Sequence, residues 1–119
     1  MTSELPAVVA AHIAAVNAGD VDAIIATFAT DAVVNDNHRE MVGVDAIRRF
    51  VEKEIVGDQV TMEVCEASKH YGHSIVRARY DGTFDKTNLP AEVVLTNHFT
   101  LSDDHIVTLI IVFNQPSPY

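Results

Sequence analysis

Three polar residues occupy positions where the sequence pattern calls for apolar side chains. His12 lies one helical turn before Val16 on a predicted helix, and Asn97 interrupts the apolar face of a predicted strand. Asp36 follows Val34 at strand spacing, on the side that Val34 gives to the interior. Burying an unpaired amide costs about 1–3 kcal/mol, and an unpaired carboxylate costs more. We therefore expect these three residues, from three separate elements, to converge on one cavity.

These residue types can exchange a proton with a bound molecule or form hydrogen bonds to it. A carboxylate such as Asp36 can accept a proton, and apolar surroundings would make it a better acceptor. Asn97 offers an amide N–H, and a neutral His12 offers one ring N–H. Each residue also has an ordinary structural explanation. His12 can be a core histidine bonded to a carbonyl, Asn97 can satisfy backbone at a bulge, and Asp36 can belong to a turn.

The elements that position these residues begin with helices. A first helix carries His12 and ends at Gly19, after which Asp20 caps a second, shorter helix. A short strand over Ala32–Val34 follows, and an irregular connection leads on to Gly43. A third helix is predicted from about Asp45 to Val56.

Beyond Gly57 the apolar spacing changes from helical to alternating, which predicts strands. Helices followed by antiparallel strands are typical of an α+β fold. We expect three N-terminal helices packed on a strongly curved, mainly antiparallel sheet that encloses a pocket. The last strand, Ile106 to Phe113, is apolar on both faces and should be central and covered on each side. The residues expected to line the pocket are Val16, Phe28, Val34, His38, Phe50, Tyr80, Phe99 and Phe113.

Composition excludes several classes of function. The 119 residues suffice for one domain, which we expect over 1–115, with an unstructured tail over 116–119. Seventeen acidic and eight basic residues give a net charge of −9, which argues against nucleic acid or an anionic membrane as a partner. No apolar run is long enough to span a bilayer, and the N-terminus lacks the pattern of a signal peptide. A lone Cys65 excludes an internal disulfide and a zinc site built from cysteines, and we expect a cytoplasmic protein. We also expect no cofactor.

Several stretches together resemble one known superfamily. They are Val8–Asp22 with its Asn-Ala-Gly-Asp helix break, Phe28–Asp36, Gly43–Phe50 and Asn97–Phe99. These stretches resemble the NTF2-like superfamily and extend over nearly the whole chain. The opening is most similar to ketosteroid isomerase and, more loosely, to the SnoaL-like polyketide cyclases.

The resemblance implies a role for each of the three polar residues. Asp36 falls where the isomerases keep their general base, with the same residue type. His12 falls where they carry a tyrosine that faces the oxyanion, and Asn97 falls where they carry a second, protonated acid. Two of the three functional positions therefore differ from the isomerases, and the fold itself hosts many unrelated functions.

Two functional hypotheses follow. In the first, the chain is an isomerase-like or cyclase-like enzyme in which Asp36 takes a proton alpha to a carbonyl of a small apolar ligand, while His12 and Asn97 hold the enolate. In the second, the same cavity binds a small apolar molecule without chemistry. A metal site built from Asp36, His38 and His98 is disfavoured, because strand alternation sends His98 to the face opposite Asn97.

The opposite face of the sheet carries a different expectation. Arg77 and Arg79 alternate with the inward-facing residues of their strand, and Ile75 lies beside them. Relatives pair as dimers through this face, so the resemblance implies a homodimer.

Overall fold

The computed structural model describes residues 5–87, 89 and 91–113; the predicted tail over 116–119 lies outside them. The elements in this part of the chain are α1 (Ala7–Ala18), α2 (Val21–Ala26), β1 (Phe28–Asp36), β2 (Arg39–Val42), α3 (Val44–Phe50), a π-helix (Val51–Val56), β3 (Thr61–His70), β4 (His73–Asp81), β5 (Val93–Ser102) and β6 (His105–Phe113).

The break between the first two helices forms as predicted. Gly19 adopts a φ of 67°, a left-handed conformation that glycine tolerates well, and its N–H bonds back to the carbonyl of Val16. Asp20 then caps α2 by accepting a hydrogen bond of 3.1 Å from the N–H of Ala23. This sharp break lets α1 and α2 pack side by side.

The third helix spans the predicted range, but its second half is a π-helix. The N–H of Gly57 bonds to the carbonyl of Glu52, five residues earlier, at 3.0 Å. A Cβ at position 57 would lie 2.2 Å from the carbonyl oxygen of Lys53, so this close approach requires glycine. The widened turn sets which residues face the sheet.

The strands form one open sheet in the order β2-β1-β6-β5-β4-β3. β1 and β6 run parallel, and the other neighbouring pairs run antiparallel. Register shifts interrupt the β1–β6, β3–β4 and β5–β6 pairings, and such bulges bend and twist a sheet. The helices pack on the inner face of this curved sheet, which confirms the α+β prediction.

The connection after the first strand was predicted to be irregular, and that prediction is wrong. β1 extends to Asp36 and forms a hairpin with β2 through Asn37 and His38, whose φ values are 49° and 76°. Two positive φ values in succession define the turn that best matches strand twist, and Asn favours it. The polar residues that suggested a loop therefore form a tight hairpin turn.

β6 is central in the sheet, but only its inner face is covered by the helices. Leu109 and Ile111 are buried, whereas Ile110 and Val112 on the outer face are each 45% exposed. The prediction that the strand is covered on both sides is therefore wrong for this chain.

Candidate functional site

An outer pocket of about 220 Å³ lies between the inner face of the sheet and the π-helix. Asp36 reaches it from the end of β1, and Glu54 reaches it from the π-helix. Most of the remaining wall is apolar. The lining residues are Asp36, Asn37, Phe50, Glu54, Ile55, Asp58, Val60, Tyr80, Phe84, Leu89, Val93, Leu95, Ile111 and Phe113.

The Asp36 carboxylate is held in place from two sides. Its Oδ1 accepts a hydrogen bond of 3.1 Å from Asn37 Nδ2, and its Oδ2 accepts one of 3.2 Å from Arg39. Asn37 is itself fastened to β6, because its Oδ1 accepts from the N–H of Phe113 at 2.8 Å. The side chain of Asp36 is 22% exposed, so the carboxylate can be reached from the pocket.

Arg39 and Glu54 form the rim of the outer pocket. The guanidinium of Arg39 donates to both oxygens of Glu54, at 2.6 and 2.8 Å, and lies 5.8 Å from the ring centre of Phe50. The hydrogen bond from Arg39 lowers the pKa of Glu54. Neither residue was predicted from the sequence, because the bridge depends on the hairpin and on the π-helix. The available signal was the spacing of Asp36 and Arg39 around an Asn-containing turn.

An inner compartment of about 20 Å³ adjoins the outer pocket. The walls common to both are Phe50, Ile55, Tyr80 and Ile111. The inner compartment is otherwise lined by His12, Val16, Ile24, Phe28, Val34, Ile47, Val51, Met62, Asn97 and Leu109.

His12 lines this compartment and is buried, with 5% of its surface exposed. Its ring packs edge-on against Phe28 and Phe99, and its Nδ1 lies 3.1 Å from the hydroxyl oxygen of Thr27. Burial lowers the pKa of His12 to about 4, because the apolar surroundings disfavour the charged ring. The imidazole is therefore neutral at pH 7.

Asn97 is fully buried and has a partner for each side of its amide group. Its Oδ1 accepts a short hydrogen bond of 2.6 Å from the Tyr80 hydroxyl. Its Nδ2 donates to the carbonyls of Val76 and Leu95, at 3.2 and 3.4 Å. Burial raises the pKa of Tyr80, and the charge of Asp36 acts in the same direction, so the hydroxyl stays protonated.

The structure distributes the three predicted catalytic residues over two adjoining volumes. Asp36 faces the outer pocket, whereas His12 and Asn97 face the inner compartment, and Tyr80 borders both.

The predicted lining residues fall into groups. Val16, Phe28 and Val34 line the inner compartment, Phe113 lines the outer pocket, and Phe50 and Tyr80 line both. Two predicted residues lie elsewhere. His38 is exposed in the β1–β2 turn, because the hairpin turns it away from the interior. Phe99 is fully buried behind the ring of His12 and borders neither volume.

Among the described residues, no three histidine, cysteine or acidic side chains lie close enough together to hold a metal ion. None of the helices in that part of the chain is long and apolar enough to cross a membrane.

The SnoaL-like domain family model matches residues 9–109. The chain belongs to this family. No match was found among curated protein sequences. The match begins within α1 and ends within β6, so it covers most of this SnoaL-like domain.

Solved structures agree with the family. The SnoaL-like domain is 32% identical to a proposed polyketide cyclase from Sinorhizobium meliloti, over 93% of this chain and 98% of that one, with a TM-score of 0.83. It is also similar to SalBIII, an epoxide hydrolase/cyclase-like enzyme in pyran ring formation in the polyether salinomycin, at 23% identity. That match covers 91% of this chain and 88% of SalBIII, with a TM-score of 0.79.

A third structure comes from Catenulispora acidiphila and has a ketosteroid isomerase-like fold in complex with trimethylamine. It is 20% identical, covers 92% of this chain and 86% of its own, and has a TM-score of 0.78. The family match and these structures together show the NTF2-like fold of the chain, as its sequence resemblance predicted.

Proposed function

We propose that this SnoaL-like domain is a small-molecule enzyme in which Asp36 removes a proton alpha to a carbonyl of an apolar ligand. One observation carries the proposal. A fixed, reachable carboxylate and a protonated tyrosine hydroxyl border the same apolar pocket. A base and a hydrogen-bond donor around an apolar volume are the parts that enolisation needs.

In this reaction the Asp36 carboxylate takes the proton from carbon, and the electron pair of the broken C–H bond moves onto the carbonyl oxygen. Return of the proton to a different carbon moves the double bond. Attack of the enolate carbon on a second carbonyl of the same molecule closes a ring, and Asp36 then gives its proton to the new alkoxide. Either outcome is balanced without a cofactor.

The donor to the enolate oxygen is Tyr80 in this proposal. Both amide hydrogens of Asn97 go to backbone carbonyls, so Asn97 has no free donor. Tyr80 donates to Asn97 Oδ1 in the structure, and an anionic enolate is a stronger acceptor than an amide oxygen. Tyr80 can therefore redirect its proton to the ligand while the ring stays fixed.

The test follows deuterium from solvent into small cyclic ketones by mass spectrometry. Asp36→Asn keeps the shape of the side chain and removes the base, so we expect exchange about 100-fold slower or worse. Asp58→Asn is the matched control, because Asp58 lines the same pocket and loses the same charge. Equal exchange in wild type and Asp36→Asn contradicts the proposal.

A non-catalytic binding protein is the second candidate function. The observation that favours it is that the hydrogens of Asn97 and Tyr80 all have acceptors within the protein. Ketones that bind in the pocket, as seen by ligand-observed NMR, without any deuterium exchange would select this alternative.

We also propose that two copies pair through the outer face of the sheet, defined here by the outward-facing side chains of Ile75, His98, Ile110 and Val112. Ile75 pairs with His98 across β4 and β5, and His98 pairs with Ile110 across β5 and β6. The three aliphatic side chains are 36–45% exposed on a continuous stretch of sheet. Apolar neighbours at a surface are typical of a protein interface.

Charges at the border of this outer face support a second copy as the occupant. Arg77 pairs with Glu66, and Arg79 pairs with Glu63 and Glu92. The chain carries a net charge of −9, so repulsion between copies is smallest where opposite charges cancel.

Sedimentation measures the assembly directly. We expect a dimer for the wild type and a monomer for Ile110→Lys, because the new charge would be buried in the interface. Tyr71→Lys is the control, since Tyr71 is exposed in the turn between β3 and β4. A monomeric wild type, or a dimer that survives Ile110→Lys, contradicts the assembly.

A further inference from the structure

The position of one hydrogen atom on His12 follows from the geometry around Thr27. The Thr27 hydroxyl oxygen lies 2.6 Å from the carbonyl oxygen of Ile24 and 3.1 Å from His12 Nδ1. Two oxygen atoms this close need a proton between them, and a threonine hydroxyl has only one. Thr27 therefore donates to Ile24 and accepts from His12, so the ring carries its hydrogen on Nδ1.

The other ring nitrogen of His12 is consequently a bare acceptor. A neutral imidazole has one N–H and one lone pair, and burial keeps this ring neutral at pH 7. Within the described part of the chain, Nε2 forms no hydrogen bond, while the ring lines the inner compartment. Only 5% of the His12 surface is exposed, so the ring has little contact with bulk water.

The other polar side chains around the inner compartment also have their hydrogens committed. Asn97 gives its amide hydrogens to Val76 and Leu95, and Tyr80 gives its hydroxyl hydrogen to Asn97. With these hydrogens committed, the remaining lone pairs of Asn97 and Tyr80, like Nε2 of His12, can only accept hydrogen bonds. An oxyanion placed here would meet lone pairs, whereas an O–H group would meet an acceptor.

The volume sets the size of the group that fits. About 20 Å³ is enough for one water-sized group and too small for a ring or a chain. The two volumes are neighbours, because Phe50, Ile55, Tyr80 and Ile111 line both of them. A ligand seated in the outer pocket lies next to the compartment, so a single hydroxyl that passes between these side chains would reach it.

We propose that the inner compartment is a hydroxyl subsite in which His12 Nε2 accepts a hydrogen bond from a hydroxyl of the ligand, so that the ligand class is hydroxylated apolar carbonyl compounds. The carbonyl part of this assignment rests on the proposed function; the hydroxyl part does not. His12 is then a specificity residue that selects a donor, rather than a donor to the enolate. A site built to bond a hydroxyl rejects analogues that lack one, because its buried acceptor is left unpaired.

The hydrogen on His12 can be observed without any ligand. Two-bond ¹H–¹⁵N spectra at pH 7 distinguish the two neutral tautomers of a histidine, and the spectrum of His12→Gln assigns the signal. We expect the Nδ1-protonated tautomer. Thr27→Val removes the acceptor of the Nδ1 hydrogen and should shift the ring towards the other tautomer. A wild-type His12 that is protonated on Nε2 overturns the proposal.

A matched pair of probes tests the subsite itself. Phenol and fluorobenzene have nearly the same shape, but only phenol donates a hydrogen bond. We expect wild type to bind phenol about tenfold more tightly than fluorobenzene by calorimetry, which is the cost of one unpaired buried acceptor. Equal binding of the two probes by wild type overturns the proposal.

Two variants separate this subsite from the Asp36 carboxylate, which can also accept from phenol. His12→Phe should abolish the preference for phenol, whereas Asp36→Asn should keep it. The reverse result assigns the hydroxyl to Asp36 and overturns the subsite. If His12→Phe does not fold, the tautomer of wild-type His12 decides whether the proposal stands. These binding measurements do not depend on deuterium exchange. Failure of the proposed enzyme activity can therefore be told apart from failure of the hydroxyl subsite.

A ligand hydroxyl and a water molecule share the same donor chemistry. A crystal structure with phenol separates them, because the phenol oxygen should lie within hydrogen-bond distance of Nε2. A water that stays on Nε2 while phenol binds elsewhere assigns the compartment to solvent and overturns the hydroxyl subsite.

Discussion

The outer pocket and the inner compartment share four wall residues and differ in almost every physical property. The outer pocket is about tenfold larger and carries Asp36 and Glu54, whose carboxylates are held by the same arginine. Among the residues that the structure describes, no charged side chain lines the inner compartment, and the hydrogens of its buried polar side chains are committed to partners within the protein. Carboxylates are tolerated in the outer pocket because solvent reaches them, whereas the buried polar side chains of the inner compartment are neutral.

This difference between the two volumes shows that residue type alone does not assign a chemical role. Asn97 and His12 both carry N–H groups, but each N–H has an acceptor within the protein. Their hydrogens are bonded within the fold, so their acceptor atoms are what they can offer to a molecule in the compartment.

The largest effect on stability is expected from Asn97→Leu. This change keeps the branched, four-atom skeleton of the side chain but leaves the Tyr80 hydroxyl and the carbonyls of Val76 and Leu95 without this partner. We expect a loss of about 4 kcal/mol in the free energy of unfolding, measured in urea. Asn37→Ala in the outer pocket is the comparison, and an equal loss there would remove the distinction between the two volumes.

The pH dependence of stability should come from the inner compartment. The pKa of His12 is about 4 when folded, against 6.5 unfolded, so the unfolded state binds the extra proton between these values. The contribution of His12 to the free energy of unfolding is fully present above pH 6.5. It falls by about 3 kcal/mol as the pH drops to 4. His12→Gln should flatten this part of the urea-unfolding profile. A slope unchanged in the variant would show that His12 is not the group responsible.

The smallest effect is expected at the rim of the outer pocket. Arg39 is 55% exposed, and exposed ion pairs contribute little because solvent screens them. Arg39→Met should cost about 1 kcal/mol or less, and the cost should shrink further in high salt. A loss as large as that of Asn97→Leu would mean that the bridge from Asp36 to Glu54 is structural.

Most of the fold could be predicted because it depends on local signals. Gly19 and Asp20 end one helix and begin the next through bonds within a few residues. Alternation along β5 placed Val93, Asn97 and Phe99 on the buried face, and all three are buried there.

The errors arose where a local pattern had two physical solutions. Asn37 and His38 suit either an irregular loop or a tight hairpin turn, and only pairing with β2 and β6 decides between them. His38 was consequently expected in the pocket. The apolar outer residues of β6 suggested a covering layer that this chain does not supply.

The site could be predicted in its residue types but not in its hydrogen bonds. The sequence shows that His12, Asp36 and Asn97 break apolar patterns. It does not show that Tyr80, from another strand, donates to Asn97 or that Thr27 accepts from His12. Such assignments depend on distances of a few tenths of an ångström, which no spacing in the chain encodes.

The π-helix at Val51–Val56 has a consequence for comparing this chain with its relatives. Deleting one residue from the segment would let α-type bonding continue to Gly57 and rotate the remaining side chains by about 100° around the axis. Glu54 would leave Arg39, and Ile55 would leave both cavities. An alignment drawn without a gap across this turn would therefore equate wall residues with solvent-facing ones.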